Sequence, residues 1–274
     1  MAFWGNTFVF NDIPCEDFDL MLYDVDNNSQ SAGNFASGVS IIEETLPSRY
    51  KPYFYGVKYE KKLEFSIVFG VNQKRIDLEK HLDRYELEAI ASWLTGHNKY
   101  LWLEVEQEDL RYVRYHCMVT SLNIIEYGNI PWALKATVTC DSPYAYLYPQ
   151  IFEYEVSGTQ TFTFFNESSH NGYYMPKIEI ERKAAIGSGL MSDQFIIENL
   201  SDNNRAFKFS NLSESIERIN VDNENCIITN DQGLNLYPNF NYHFLRLVKG
   251  ENKLKVRGDG ILRLICEFPV NVGG

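Results

Sequence analysis

The run Leu134 to Pro149, LKATVTCDSPYAYLYP, decides how this 274-residue chain is organised. Leu134, Ala136, Val138 and Cys140 fall on one side of an extended backbone, with Lys135, Thr137 and Thr139 on the other. Successive side chains of a strand point to opposite faces, so this period of two predicts a half-buried strand. Asp141-Ser142-Pro143 ends it, because proline has no N–H to give a ladder and restricts the residue before it. The expectation is two β-rich halves, residues 1–148 and 149–274, joined where this strand stops. Neither half carries a catalytic motif, which points to a building block and not to an enzyme.

Working outward, the first half reads as short strands around one helix. Phe3-Trp4 and Thr7 to Asn11 predict a hairpin bending at Gly5-Asn6, and residues 18–23 continue as strand. Residues 27–38 hold Asn, Ser, Gln, Ala and Gly with few core formers, which predicts a long loop. Strands are expected at 39–42, 62–69, 100–105, 112–119 and 121–125. Asp83 and Glu86 form a capping box pattern, Leu87, Ile90, Ala91 and Leu94 make one apolar stripe, and Gly96 suits a left-handed C-terminal cap. Residues 75–82 could add a turn before this helix.

The second half contains about ten short alternating segments separated by Asn, Asp and Gly, with no helical period. That pattern predicts an antiparallel sandwich of jelly-roll or lectin type. Gly187-Ser188-Gly189 and Gly258-Asp259-Gly260 read as ordinary turns. The fold class expected for the whole chain is mainly β, with two antiparallel β-sandwich domains and a single α-helix in the first.

Composition narrows the function. Hydrophobic residues make up 45% of the chain and aromatics 15%, which excludes disorder by composition. A net charge of −12 argues against binding nucleic acid or an anionic membrane, since both need Lys and Arg to neutralise phosphate. Cys15, Cys117, Cys140, Cys226 and Cys266 are scattered and odd in number, so buried reduced thiols are expected, not a disulfide scaffold or a zinc site. Residues 1–6 lack the basic and apolar regions of a signal peptide, and no apolar run approaches about 18 residues. A cytoplasmic site of synthesis follows as an expectation.

Candidate chemistry is sparse. Asp24-Val25-Asp26-Asn27-Asn28 imitates a calcium loop, but Ser29 and Phe35 stand where Gly and a bidentate Glu are required. Glu104 and Glu106 share a strand face near Glu108 and Asp109; a solvated face is the simpler account than a glycosidase pair. The five histidines have no ligand spacing, and no metal or cofactor is expected. Tyr237, Phe240 and Tyr242, interleaved with Asn239, Asn241 and His243, could form a sugar-stacking platform or contact a partner. Core packing explains the same alternation more simply. The alternative function is therefore a carbohydrate-binding module that recognises bacterial surface glycans.

The order of motifs carries a resemblance. Phe8-Val9-Phe10-Asn11 is followed by the loop and then by Leu46-Pro47-Ser48-Arg49-Tyr50-Lys51-Pro52-Tyr53-Phe54-Tyr55-Gly56-Val57. Leu63-Glu64-Phe65, the helix ending Ile90-Ala91-Ser92-Trp93-Leu94, Leu101-Trp102-Leu103 and Tyr115-His116-Cys117-Met118-Val119 come next. Thr139 to Tyr146 closes the half, and Leu247 to Leu254 carries a Gly-Glu-Asn turn between late strands. This arrangement resembles the distal tail protein (Dit) family of long-tailed, non-contractile bacteriophages, prophage members included.

The resemblance implies an N-terminal sandwich whose copies close into a hexameric ring, and a galectin-like C-terminal sandwich at its periphery. It implies a hub in the virion tail tip, assembled in the host bacterial cytoplasm. The partners implied are further copies of the chain, the tail tube protein, a tail-associated lysin or tip protein, and receptor-binding proteins. DNA would pass through the lumen without being bound, and no membrane is involved. Self-closing rings need heterologous contacts, often from long hairpins and edge strands. Arg49, Tyr50, Tyr53, Phe54 and Tyr55 are candidate interface anchors in an irregular segment, or else they cover their own sandwich. The 27–38 loop is a second candidate, and Asp141 and Pro143 would set the angle between ring and rim.

Overall fold

The computed structural model describes residues 7–23, 39–59, 62–72, 81–106, 112–184 and 189–272. Residues 3–6 of the predicted 3–11 hairpin, the 27–38 loop, the calcium-like segment, residues 75–80, Glu108, Asp109, Gly187 and Ser188 lie outside them. Two compact units emerge, Met1–Tyr146 with Asn271–Gly274, and Leu147–Val270.

The first unit holds β1 (Phe8–Phe10), β2 (Ile13–Pro14), β3 (Leu20–Leu22), β4 (Val39–Glu44), β5 (Tyr53–Tyr59), β6 (Glu64–Val71), α1 (Arg84–Thr95), β7 (Leu101–Val105), β8 (Val113–Tyr127) and β9 (Ile130–Cys140). Its main sheet runs β2-β1-β7-β8-β9-β6-β3, antiparallel throughout. On β9 the alternation holds: Leu134, Ala136, Val138 and Cys140 are buried, Lys135 is exposed, and Thr137 and Thr139 are half-buried. The buried set meets Phe65, Ile67 and Phe69 of β6, which are in direct register. Burying each such aromatic or branched side chain stabilises the fold by roughly 1.5–3 kcal/mol.

Helix α1 starts on a reciprocal cap: Glu86 N donates to Asp83 Oδ1 at 2.8 Å, and Asp83 N donates to Glu86 Oε2 at 2.9 Å. Its buried residues are Ile90, Trp93 and Leu94. Trp93 does the docking, stacked 4.5 Å from the Phe18 ring while its indole N–H reaches the Phe10 carbonyl at 3.1 Å. Gly96 departs from expectation. Its φ is −72°, so the helix ends without a left-handed residue, and Gly96 N donates to Ser92 O. A Cβ there would stand 2.5 Å from that carbonyl, so close approach explains the glycine.

Strand β8 is one 15-residue strand and not two, because the break expected at Thr120 is a bulge. Its far half forms a hairpin with β9 through Gly128 and Asn129, both left-handed at φ 60° and 63°.

The second unit follows β10 (Ala145–Leu147) and holds β11 (Gln150–Asn166), β12 (Lys177–Arg182), β13 (Phe195–Asn199), β14 (Arg205–Phe209), β15 (Arg218–Asp222), β16 (Ile227–Asn230), β17 (Gly250–Cys266) and β18 (Pro269–Val270). Two long strands organise it. β11 and β17 pair without interruption from Gln150↔Cys266 to Asn166↔Gly250. The other edge of β17 takes β13 along residues 254–257 and β12 along 260–265.

Gly258-Asp259-Gly260 therefore lies inside a continuous strand, which corrects its reading as a turn. Gly258 and Gly260 adopt φ of 148° and 142°, a bend open to glycine. Phe195, Phe207, Ile180, Ile219, Leu254 and Leu264 meet in one core, and the strands make a single seven-stranded sheet in the order β14-β13-β17-β12-β15-β16, with β11 also on β17.

Asparagines replace backbone partners where the chain leaves the ladder. Asn252 Oδ1 accepts from Val248 N, and its amide donates to the Val248 and Gly250 carbonyls. Asn199 donates to Arg246 O and to Asn252 Oδ1, both at 3.0 Å. Both asparagines are fully buried, so each amide must be satisfied inside the protein.

Candidate interaction surfaces

Strands β4 and β5 form a ribbon that pairs only with itself among the described residues. None of residues 40–58 is buried. Ile41, Phe54 and Tyr55 are 61–66% exposed, and Tyr50 is 90% exposed. A bulge at Ile42/Glu43 sets Tyr55 as the extra residue beside Gly56, whose φ is 138°. The interface candidates thus sit together on one element. Tyr53, Phe54 and Tyr55 lie in strand β5, which corrects their placement in an irregular segment, while Arg49 and Tyr50 lie in the connection before it.

Local cation contacts order the aromatics without covering them. The Arg49 guanidinium lies 3.9 Å over the Tyr53 ring, Lys51 is 5.5 Å from the Tyr50 ring, and Tyr55 OH donates to Glu44 at 3.0 Å. An isolated two-stranded hairpin has little stability in water, and clustered exposed apolar side chains mark an interaction surface. The β8–β9 hairpin adds Ile124, Tyr127 and Ile130, 49–84% exposed.

On the second unit, the outer face of β12, β15 and β17 carries a groove of about 320 Å³ lined by Glu179, Ile180, Glu181, Arg218, Asn220 and Arg263. Arg263 bridges Glu153 at 2.7 Å and Glu181 at 3.3 Å, and these carboxylates hold its guanidinium above the ordinary arginine range. The lining has donors and acceptors but no aromatic ring.

Residues 3–142 match the family described as phage tail protein N-terminal domain, and residues 144–266 match the one described as phage tail C-terminal domain. The chain belongs to this phage tail protein family. It is 24% identical over 274 residues to the SPbeta prophage-derived protein YomH of Bacillus subtilis (strain 168), covering 94% of each chain. Among solved structures it is similar in fold to the Dit (gp 19.1) protein of SPP1, described as a paradigm of the hub adsorption apparatus in phages infecting Gram-positive bacteria. That match has a TM-score of 0.65 at 11% identity and covers 96% of this chain and 98% of the other. The mainly β, two-domain architecture expected from the sequence is the one observed.

In this phage tail protein the proposed glycan or partner residues divide: the Tyr237 and Tyr242 rings stack 6.4 Å apart at 26°, while Phe240 turns into the core. Phe240 is 4% exposed and packs 5.0 and 4.9 Å from the Phe207 and Phe209 rings, which removes it as a surface contact. Tyr237 is half-buried, and its hydroxyl donates to Cys226 O and accepts from Ile228 N. Tyr242 remains 62% exposed. Glu104 is half-buried on β7 and Glu106 exposed beyond it. Four cysteines are buried as expected, while Cys226, also expected to be buried, is exposed in a turn at φ 57°. Among the described residues, no three His, Cys, Asp or Glu side chains cluster as a metal site.

Proposed function

We propose that this chain is a non-enzymatic hub of a phage tail tip, its first unit closing with further copies into a hexameric ring. The ring joins the tail tube protein to a tail-associated lysin or tip protein, and the second unit serves receptor-binding proteins at the rim. Assembly in the host cytoplasm and residence in the virion follow from that role.

The observation that carries the reading is the β4–β5 ribbon, whose exposed aromatics have no core of their own. Charge supports another copy of the same chain as its cover. Residues 39–59 hold three cations, Arg49, Lys51 and Lys58, against Glu43 and Glu44, within a chain of net charge −12. A weakly cationic ribbon is matched to the acidic surface of its neighbour. The acidity of the chain also suits a lumen past which DNA slides without sticking. Native mass spectrometry of the purified chain at rising concentration tests the proposal: a hexamer supports it, and a strict monomer counts against it.

Glycan recognition is the second reading, resting on the polar groove around Arg263. Its lack of an aromatic floor ranks it below the hub. Binding to wall polysaccharide lost on Asn220→Ala would raise it.

A further inference from the structure

Cys117 of β8 and Cys140 of β9 are directly opposed in the antiparallel register, and both are fully buried on the core side of the sheet. The phase of the ladder fixes which kind of pair they are. Asp141 N donates to His116 O at 2.9 Å, so 116 and 141 are the hydrogen-bonded pair. Cys140 N turns the other way and donates to Leu63 O at 2.8 Å. Cys117 and Cys140 are therefore a non-hydrogen-bonded pair, the kind whose Cα atoms approach to about 4.5 Å with side chains close together. That spacing falls inside the range of roughly 4.4–6.8 Å that a disulfide spans. The bulge in β8 begins only beyond Val119, so the local register is regular.

We propose that Cys117 and Cys140 form a latent cross-strand disulfide site, held as a dithiol where surroundings are reducing and closed by a small-molecule disulfide where they are oxidising. One thiol, as thiolate, attacks the small disulfide and releases one of its halves as a thiolate. The second cysteine, as thiolate, then attacks the mixed disulfide and releases the other half. The two protein thiols lose two electrons and two protons, and the small disulfide gains both, leaving two small thiols. Burial limits the rate. It pushes the Cys140 thiol up to about 12 and the Cys117 thiol still higher, so exchange proceeds through local opening of the β8–β9 pair.

The same burial shields the bond once it is made. It would pin β8 to β9 one residue before Asp141-Ser142-Pro143, where the strand ends. Passage from a reducing cytoplasm to the outside rests on the tail-tip reading; the ability to form the bond does not.

The test uses the full chain as Cys226→Ser, which removes the exposed thiol and leaves four. The protein is held with excess oxidised glutathione just below its unfolding midpoint, then unfolded and alkylated. We expect two alkylated cysteines, Cys15 and Cys266, a peptide joining Cys117 to Cys140, and an unfolding midpoint that falls on adding reductant. Cys117→Ala and Cys140→Ala should each prevent the bond. Four alkylated cysteines, or a bond that survives either substitution, would overturn the proposal whatever the assembly state of the chain.

Discussion

His116 Nδ1 lies 2.6 Å from Asp141 Oδ2, joining the outer face of β8 to the first residue after β9. The same carboxylate accepts from Tyr146 OH at 3.2 Å, and that hydroxyl also donates to Ser142 Oγ at 2.9 Å. Ser142 Oγ in turn accepts from Tyr144 N at 3.2 Å. The segment that breaks the ladder is therefore a hydrogen-bonded turn with its own side-chain scaffold. Asp141→Ala removes two of these contacts at a site about one-quarter to one-third exposed. The expected loss is about 1–2 kcal/mol in urea unfolding. A change within error would show that the turn holds without them.

Gly260 should be among the least replaceable residues of the second unit. A Cβ at this position would meet Glu181 O at 2.0 Å, in a backbone of φ 142° that L-residues rarely adopt. Gly158, in the partner strand, has φ 69° and nothing within 4 Å. Gly158→Ala is expected to cost about 1–2 kcal/mol, the ordinary left-handed penalty. Gly260→Ala should cost clearly more, or leave insoluble protein, in parallel thermal melts.

Arg182 and Arg263 should respond very differently to substitution. Arg182 is 4% exposed and donates to the carbonyls of Ser213, Ile216 and Ser192 at 2.6–2.8 Å. Arg182→Met strands three acceptors, with an expected loss of about 2–4 kcal/mol by denaturant titration. Arg263 makes two carboxylate contacts at the surface, and Arg263→Met should cost less than about 1 kcal/mol.

Much of the first unit was legible because its signals are local. The alternation of Leu134 to Cys140 and the Asp83/Glu86 cap each follow from a few adjacent residues. The second unit was harder to read. A glycine can end a strand or bend it, and only the partner across the ladder decides, so Gly158 and Gly258 split β11 and β17 on paper. Asn252 read as a turn residue and Asn199 as the end of a strand, whereas both are buried bracing amides. Phe240 packs against Phe207 and Phe209, as the simpler core-packing reading of its alternation had it. The ribbon was half visible: its aromatics stood out, but their freedom from any core needed the sheet topology.

Acid should weaken the second unit through Asp202. Its carboxylate, 2% exposed, is held below the ordinary aspartate range first by the hydrogen bond from Arg246, at 2.6 Å, with burial opposing. A depressed native value contributes stability that is complete above about 4 and is lost as pH falls through the native value. Asp202→Asn should therefore be less stable at neutral pH and show a shallower fall in acid. Parallel slopes would mean other carboxylates govern the acid limb.

The claim that the β4–β5 ribbon is covered by another copy of the chain is tested most directly by native mass spectrometry of wild type beside Phe54→Asp. Phe54 is 66% exposed, so the substitution should leave the fold and the thermal midpoint intact. The account predicts a hexamer for wild type and a monomer for the variant at the same concentration. Hexamers undiminished in Phe54→Asp, or a wild-type chain that stays monomeric at the highest concentration, would contradict it.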